Sequence, residues 1–233
     1  MSSYWILLIV VAGASFWVQW KLRSKFQQYS QLAFRGNLTG AQVAAKMLHD
    51  NDINDVKIVS VEGQLTDHFN PMDKTVNLSP EVYHGRSVMA AAIAAHECGH
   101  AVQYARAYAW IGMRSALVPA VSFASRWVQW VIMAGILLLA FTGAKLGFWV
   151  LLAGVVLFGL TTLFSFVTLP VEFDASNRAL VWLEGSGMTN PEEHNMAKDA
   201  LKWAAMTYVV AAIASLLTLL YYVSMLMGGR RRD

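Results

Sequence analysis

The chain has 233 residues, 56% of them hydrophobic, and its mean hydropathy is positive. That is too apolar for an ordinary soluble domain of this size and predicts an integral membrane protein. The net charge of +3 is small and spread out, with no basic stripe interleaved with aromatics, which argues against nucleic acid as a partner. A single cysteine, Cys98, excludes an internal disulfide.

Residues 4–20 form an apolar run of about the length that spans a bilayer, ended by Lys21, Arg23 and Lys25. The charges follow the run instead of preceding it, and Phe16, Trp17 and Trp20 sit at its end as interface aromatics do. It is therefore expected as a retained anchor with its N-terminus outside, not as a cleaved signal peptide. Residues 21 to 115 read as a polar domain. Thr39-Gly40-Ala41-Gln42 is a capping-box pattern that opens a short helix through Val43, Met47 and Leu48, stopped near Asn51. Residues 56–61 are rich in β-branched side chains and read as a strand, with Glu62-Gly63 as the turn. Residues 64–69 are a second extended piece, ending in the turn Asn70-Pro71. Lys74, Thr75, Val76, Asn77 and Leu78 alternate polar and apolar, which predicts a half-exposed strand. Ser79-Pro80-Glu81 starts a helix, and a further helix is expected from near Ser87 to about Tyr104.

Beyond Arg114 and Pro119, the side chains of Ser122, Ser125, Arg126 and Gln129 make a stretch suited to the membrane surface. Residues 127–142 and 146–168 are apolar runs joined by the break Gly143-Ala144-Lys145, a transmembrane hairpin. The chain turns polar again from Pro170 to Asn190. Asn190-Pro191-Glu192-Glu193 then caps a last long helix whose second part, residues 203–227, is a fourth span, followed by Arg230, Arg231 and Arg232. The expected organisation is an anchor over 1–20, a catalytic domain over 21–115, a hairpin over 116–169, a returning segment over 170–202, and a C-terminal span with a basic tail over 203–233.

Chemistry concentrates in His96-Glu97-Cys98-Gly99-His100. Alanines on either side favour helix, so the two histidines, four positions apart, lie one turn above each other and can share one Zn²⁺. Glu97 is placed to take the proton of a metal-bound water as that water attacks a peptide carbonyl. Cys98 and Gly99 are expected to project away from the metal, Cys98 as packing and not as a nucleophile. Apolar neighbours on most sides predict a buried helix, and buried imidazoles and carboxylates are costly unless paired or bound to metal.

A catalytic zinc site wants three protein ligands and an open position. Because a hairpin crosses the membrane twice, the segment after residue 169 returns to the histidines' side. There Glu172, just after Pro170, is the best candidate for the third ligand, with Asp174 as its rival. Asp174 or Asn177 could instead hold a histidine's other ring nitrogen. His49, His84 and His194 read as surface residues; His68 is less easily dismissed.

Over nearly its whole length the chain resembles the bacterial membrane-bound neutral zinc metallopeptidases called YugP-like. The matching stretches are Leu65-Thr66-Asp67-His68-Phe69, Leu78-Ser79 with Val82-Tyr83, Ala95-His96-Glu97-Cys98-Gly99-His100-Ala101 with Gln103, Arg114 with Leu117-Val118-Pro119, and Leu169-Pro170-Val171-Glu172-Phe173-Asp174-Ala175-Ser176. More distantly it is similar to the HtpX and CAAX-protease group. The resemblance implies His96, His100 and Glu172 as ligands of one Zn²⁺ and Glu97 as catalytic base. Asn70 stands where an acidic residue is expected, and Cys98 where a small aliphatic one is usual.

The expected fold is a mainly α integral membrane protein with four transmembrane helices and a small α+β zincin-like catalytic domain. The expected function is peptide-bond hydrolysis on a peptide or protein substrate. His68 and Tyr83 are candidate oxyanion donors, Arg178 a weaker one, and the strand of residues 74–78 is the candidate edge for an extended substrate. The alternatives are an intramembrane-cleaving protease and a catalytically silent zinc-binding scaffold. Lys21, Arg23, Lys25, Arg114, Arg178, Lys198 and Lys202 put the catalytic face in the cytoplasm by the positive-inside rule, against the opposing signal of Arg230 to Arg232.

Overall fold

The structure, a computed structural model, describes residues 2–142 and 145–229. The hairpin break at Gly143-Ala144 and the basic tail Arg230 to Arg232 lie outside the described residues. In chain order the elements are α1 (Ser2–Ser30), α2 (Gly40–Asp50), β1 (Lys57–Ser60), β2 (His68–Asn70), β3 (Thr75–Leu78), α3 (Pro80–His84), α4 (Val88–Ala105), α5 (Ala109–Thr142), α6 (Lys145–Gly185) and α7 (Pro191–Gly229). They fall into two units, one of residues 1–15, 113–169 and 208–233, the other of 16–112 and 170–207.

The first unit is helical. Its interior gathers Ile132, Leu151, Val155 and Leu226. Small residues let the helices close up: a Cβ on Gly135 would meet the Leu151 Cα at 2.6 Å, and one on Gly154 the Ile132 backbone nitrogen at 3.0 Å. Such glycine-mediated approach is how helices pack where lipid removes the hydrophobic drive between them. Phe123, Trp127, Trp130, Trp149 and Val156 are exposed. Among the described residues three helices are long and apolar enough to cross a membrane, over Ala109–Phe141, Lys145–Gly185 and Pro191–Gly228. The first of the four spans expected from the sequence, in α1, is not among these three. The surface stretch and the span expected on either side of Arg126 are one continuous helix that runs through Pro119.

The second unit wraps α4. Val43, Ala44, Met47 and Leu48 of α2, Val76 and Leu78 of β3, Ala179 and Leu183 of α6, and Ala197 and Leu201 of α7 share one core with the α4 alanines. Alanine suits α4 twice over, since it is the best helix former and its small side chain lets neighbours approach from several directions. Ser87 caps the helix by accepting a hydrogen bond from the Ala90 N–H at 3.1 Å. At α2 the Thr39 hydroxyl accepts from the Gln42 N–H at 3.2 Å and the Gln42 side chain accepts from the Thr39 N–H at 2.9 Å, a complete capping box.

The sheet corrects one expectation. Its order is β1-β3-β2, with β1 parallel and β2 antiparallel to β3. The strand of Lys74, Thr75, Val76, Asn77 and Leu78 is central and paired on both sides, so it has no edge to offer a substrate. Nor is it half-exposed: Val76, Asn77 and Leu78 are all buried. The second extended piece shrinks to His68–Asn70, after a turn in which Gly63 and Leu65 both take positive φ. Asp67 anchors that turn by accepting from the Ser79 N–H at 2.7 Å and the Ser79 hydroxyl at 3.1 Å. Burial pushes its carboxyl above the usual range, and these bonds pull it partly back.

Thr39→Ala removes the hydroxyl half of the capping box. It should destabilise the protein by about 1 kcal/mol, read as a lower thermal midpoint in detergent; an unchanged midpoint would show that this cap contributes nothing.

Candidate metal centre

Three side chains from two helices of the second unit meet. His96 and His100 project from one face of α4, their ring centroids 4.8 Å apart and nearly perpendicular at 81°. Glu172 comes from α6, two residues past Pro170. His96 Nε2 lies 3.4 Å and His100 Nε2 3.6 Å from Glu172 Oε2, and one ligand atom from each of the three falls within 4.8 Å of the others. Donors at about 2.0–2.2 Å from a shared tetrahedral ion stand roughly 3.3–3.6 Å from one another. The two histidine-to-carboxylate distances have that spacing. Two imidazoles and one carboxylate also match the donor set of catalytic zinc, which leaves one position open. Glu172 is only 3% exposed, so its charge needs compensation from neighbouring groups, the two imidazoles among them. The residues present fit a zinc ion.

What brings α4 so near α6 is Gly99. A Cβ there would stand 2.5 Å from the Ala175 carbonyl oxygen and 3.1 Å from the Ala175 Cα, and neither backbone atom can yield. Gly99 therefore does not project away from the metal, as the sequence suggested. It lies about 60° round the helix from His96 and forms the contact surface with the ligand-bearing helix. Cys98 faces elsewhere, fully buried with its Sγ 3.6 Å from the Ala44 carbonyl oxygen. Burial raises its thiol pKa far above the ordinary value, which leaves it inert packing.

The far ring nitrogens have partners that the sequence did not suggest. His96 Nδ1 is 3.1 Å from the Ser176 hydroxyl and His100 Nδ1 is 3.0 Å from Gln103 Oε1. Asp174 does not touch a histidine: its Oδ2 accepts from Gln103 Nε2 at 2.8 Å, one bond further back. Asn177 is exposed. Both corrections follow from helical spacing on α6, where Ser176, four residues after Glu172, shares its face while Asn177 is turned by a further 100°. Ser176 and Gln103 could be found in sequence only as polar residues at i+4 and i+3 from ligands.

Glu97 is 7% exposed and, among the described residues, makes no hydrogen bond or ion pair. The expected oxyanion donors fare differently. His68 Nδ1–H donates to the Thr66 carbonyl at 2.8 Å and its Nε2 faces the Asn77 amide at 3.3 Å, so the neutral ring has no N–H to spare. Arg178 Nε is held by Asp174 at 2.6 Å. Tyr83 packs on the core and stands edge-on to His84 at 4.9 Å.

The family described as "Putative neutral zinc metallopeptidase" matches residues 4–227, and the chain belongs to it. Among relatives, "Putative membrane protease YugP" of Bacillus subtilis (strain 168) is 38% identical over 224 residues, 96% of each chain. No solved structure matches the chain.

Gly99→Ala should push α4 and α6 apart and abolish stoichiometric zinc binding in a protein that keeps its helical circular dichroism. Gly112→Ala, where an added Cβ meets nothing within 4 Å, is the control and should bind zinc as the parent does. Equal zinc content in both variants would contradict the role given to Gly99.

Proposed function

We propose that the chain is a membrane-integrated zinc metalloendopeptidase in which His96, His100 and Glu172 hold one ion and Glu97 is the general base. The observation that carries this reading is the meeting of those three side chains next to a buried acid that, among the described residues, makes no hydrogen bond or ion pair. When bound, zinc supplies Lewis acidity, making water nucleophilic near neutral pH and polarising a carbonyl. Glu97 accepts one proton from the attacking water as its oxygen bonds to the carbonyl carbon, then gives that proton to the nitrogen as the C–N bond breaks. The same proton enters and leaves, so Glu97 ends the cycle ionised. His96 and His100 keep their far nitrogens on Ser176 and Gln103, which holds both rings in place through the cycle.

An extended peptide or protein substrate needs an unpaired strand edge. With β3 central, the outer edge of β2 takes that role, and β2 packs against α4 through Phe69, whose ring lies 6.0 Å from that of Tyr104. In the bilayer α1 serves as a fourth span beside α5, α6 and α7. Its exposed Trp5, Ile6, Ile9, Val10 and Phe16 support this, with Trp17 and Trp20 at the interface. Lys21, Arg23 and Lys25, in α1 just past its apolar run, support a cytoplasmic catalytic face, where cytoplasmic segments of membrane proteins are within reach as substrates.

Glu97→Gln should lower hydrolysis of a casein or peptide substrate by about 10²–10⁴-fold while zinc content stays at one ion per chain. Unchanged hydrolysis would remove Glu97 from the mechanism. Chelation should silence the parent protein and added zinc should restore it; activity that survives a zinc-free preparation would point to another chemistry.

A further inference from the structure

Gln103 is fully buried, at 0% exposure, and each polar atom of its amide is used. Nε2 donates to the Val171 carbonyl at 2.7 Å and to Asp174 Oδ2 at 2.8 Å. Oε1 faces His100 Nδ1 at 3.0 Å. Both Nε2 partners are pure acceptors, a backbone carbonyl and a carboxylate, so the amide cannot be turned over without setting oxygen against oxygen twice. Its oxygen must therefore face His100, and an oxygen there requires a hydrogen on Nδ1. In the neutral ring the lone pair is then confined to Nε2, the atom 3.6 Å from Glu172 Oε2.

The other end of the amide is equally informative. Val171 immediately precedes Glu172, and α6 has already lost one backbone N–H at Pro170. By gripping the Val171 carbonyl, Gln103 fixes how far along α4 the carboxylate of Glu172 stands. Asp174 is braced in turn by Arg178 Nε at 2.6 Å, and the Arg178 guanidinium lies 5.7 Å over the Tyr108 ring. A chain of contacts thus runs from Tyr108 through Arg178, Asp174 and Gln103 to His100.

We infer that Gln103 is the positioning residue of the metal centre: one amide fixes the tautomer of His100 and the register of Glu172 against it, with Asp174 and Arg178 locking the amide's orientation. This rests on the ligand set proposed above, but it concerns the chain's own hydrogen bonds and is read without peptidase activity. Ser176 does less for His96, because a hydroxyl can both donate and accept and so fixes no tautomer.

The test uses full-length protein in detergent, with ¹⁵N-labelled histidine and each ring assigned by substitution. In the parent, with and without zinc, His100 should show a slowly exchanging N–H on Nδ1, and zinc affinity is measured by competition with a chromophoric chelator. In Gln103→Leu the His100 N–H should exchange fast and zinc affinity should fall about 10–100-fold. Asp174→Ala, at a partly exposed site, keeps the glutamine but frees its amide to turn. It should speed His100 N–H exchange and weaken zinc binding by a smaller factor, and it decides the matter if Gln103→Leu does not fold. Unchanged exchange and unchanged affinity in Asp174→Ala, or a parent His100 whose proton sits on Nε2, would overturn the inference. A parent that binds no zinc yet shows the protected Nδ1–H would instead sink the ligand assignment and leave the role of Gln103 standing.

Discussion

Everything in the metal centre depends on how closely α4 and α6 approach at Gly99 and Ala175. Helix pairs commonly keep their axes 8–10 Å apart, at a distance set by the side chains between them. Here a hydrogen atom stands where a side chain would be, and the Ala175 carbonyl occupies the space a Cβ would need. Only at that separation can a carboxylate from α6 come within 3.4–3.6 Å of imidazoles on α4. The alanines around α4 extend the same principle, giving a helix that can be enclosed by α2, the sheet, α6 and α7.

Enclosure has an electrostatic consequence. Glu172, His100 and Gln103 are buried, and buried polar groups are tolerated when each finds a partner. Gln103 meets that condition entirely within the protein, and the far nitrogens of His96 and His100 are likewise engaged. The near nitrogens and the Glu172 carboxylate turn toward one another, a set of electron-rich atoms that a divalent cation satisfies together. Glu97 is the exception, buried and, among the described residues, without a hydrogen-bond or ion-pair partner.

Much of this was legible in the chain itself. The capping box at Thr39 and the alanine-rich helix beginning near Ser87 are local signals, written in neighbouring residues. The expectation of a hairpin pointed to Glu172, because a chain that crosses a bilayer twice comes back to the side it left. The central position of β3 was not legible, since alternation reports which faces are buried and says nothing of which edges are paired. Gly99 was misread because its function lies in a backbone 76 positions away, and Gln103 and Ser176 were passed over because a polar residue near a ligand is informative only once its partner is known. Asp174 was assigned one bond too close to the ion for the same reason.

The most direct test of the account is anomalous diffraction at the zinc edge from crystals of the zinc-loaded protein. The account predicts a single strong peak about 2.0–2.2 Å from His96 Nε2, His100 Nε2 and a Glu172 carboxylate oxygen. A zinc peak bonded to the two histidines with Glu172 turned away, or one seated on other side chains altogether, would contradict it.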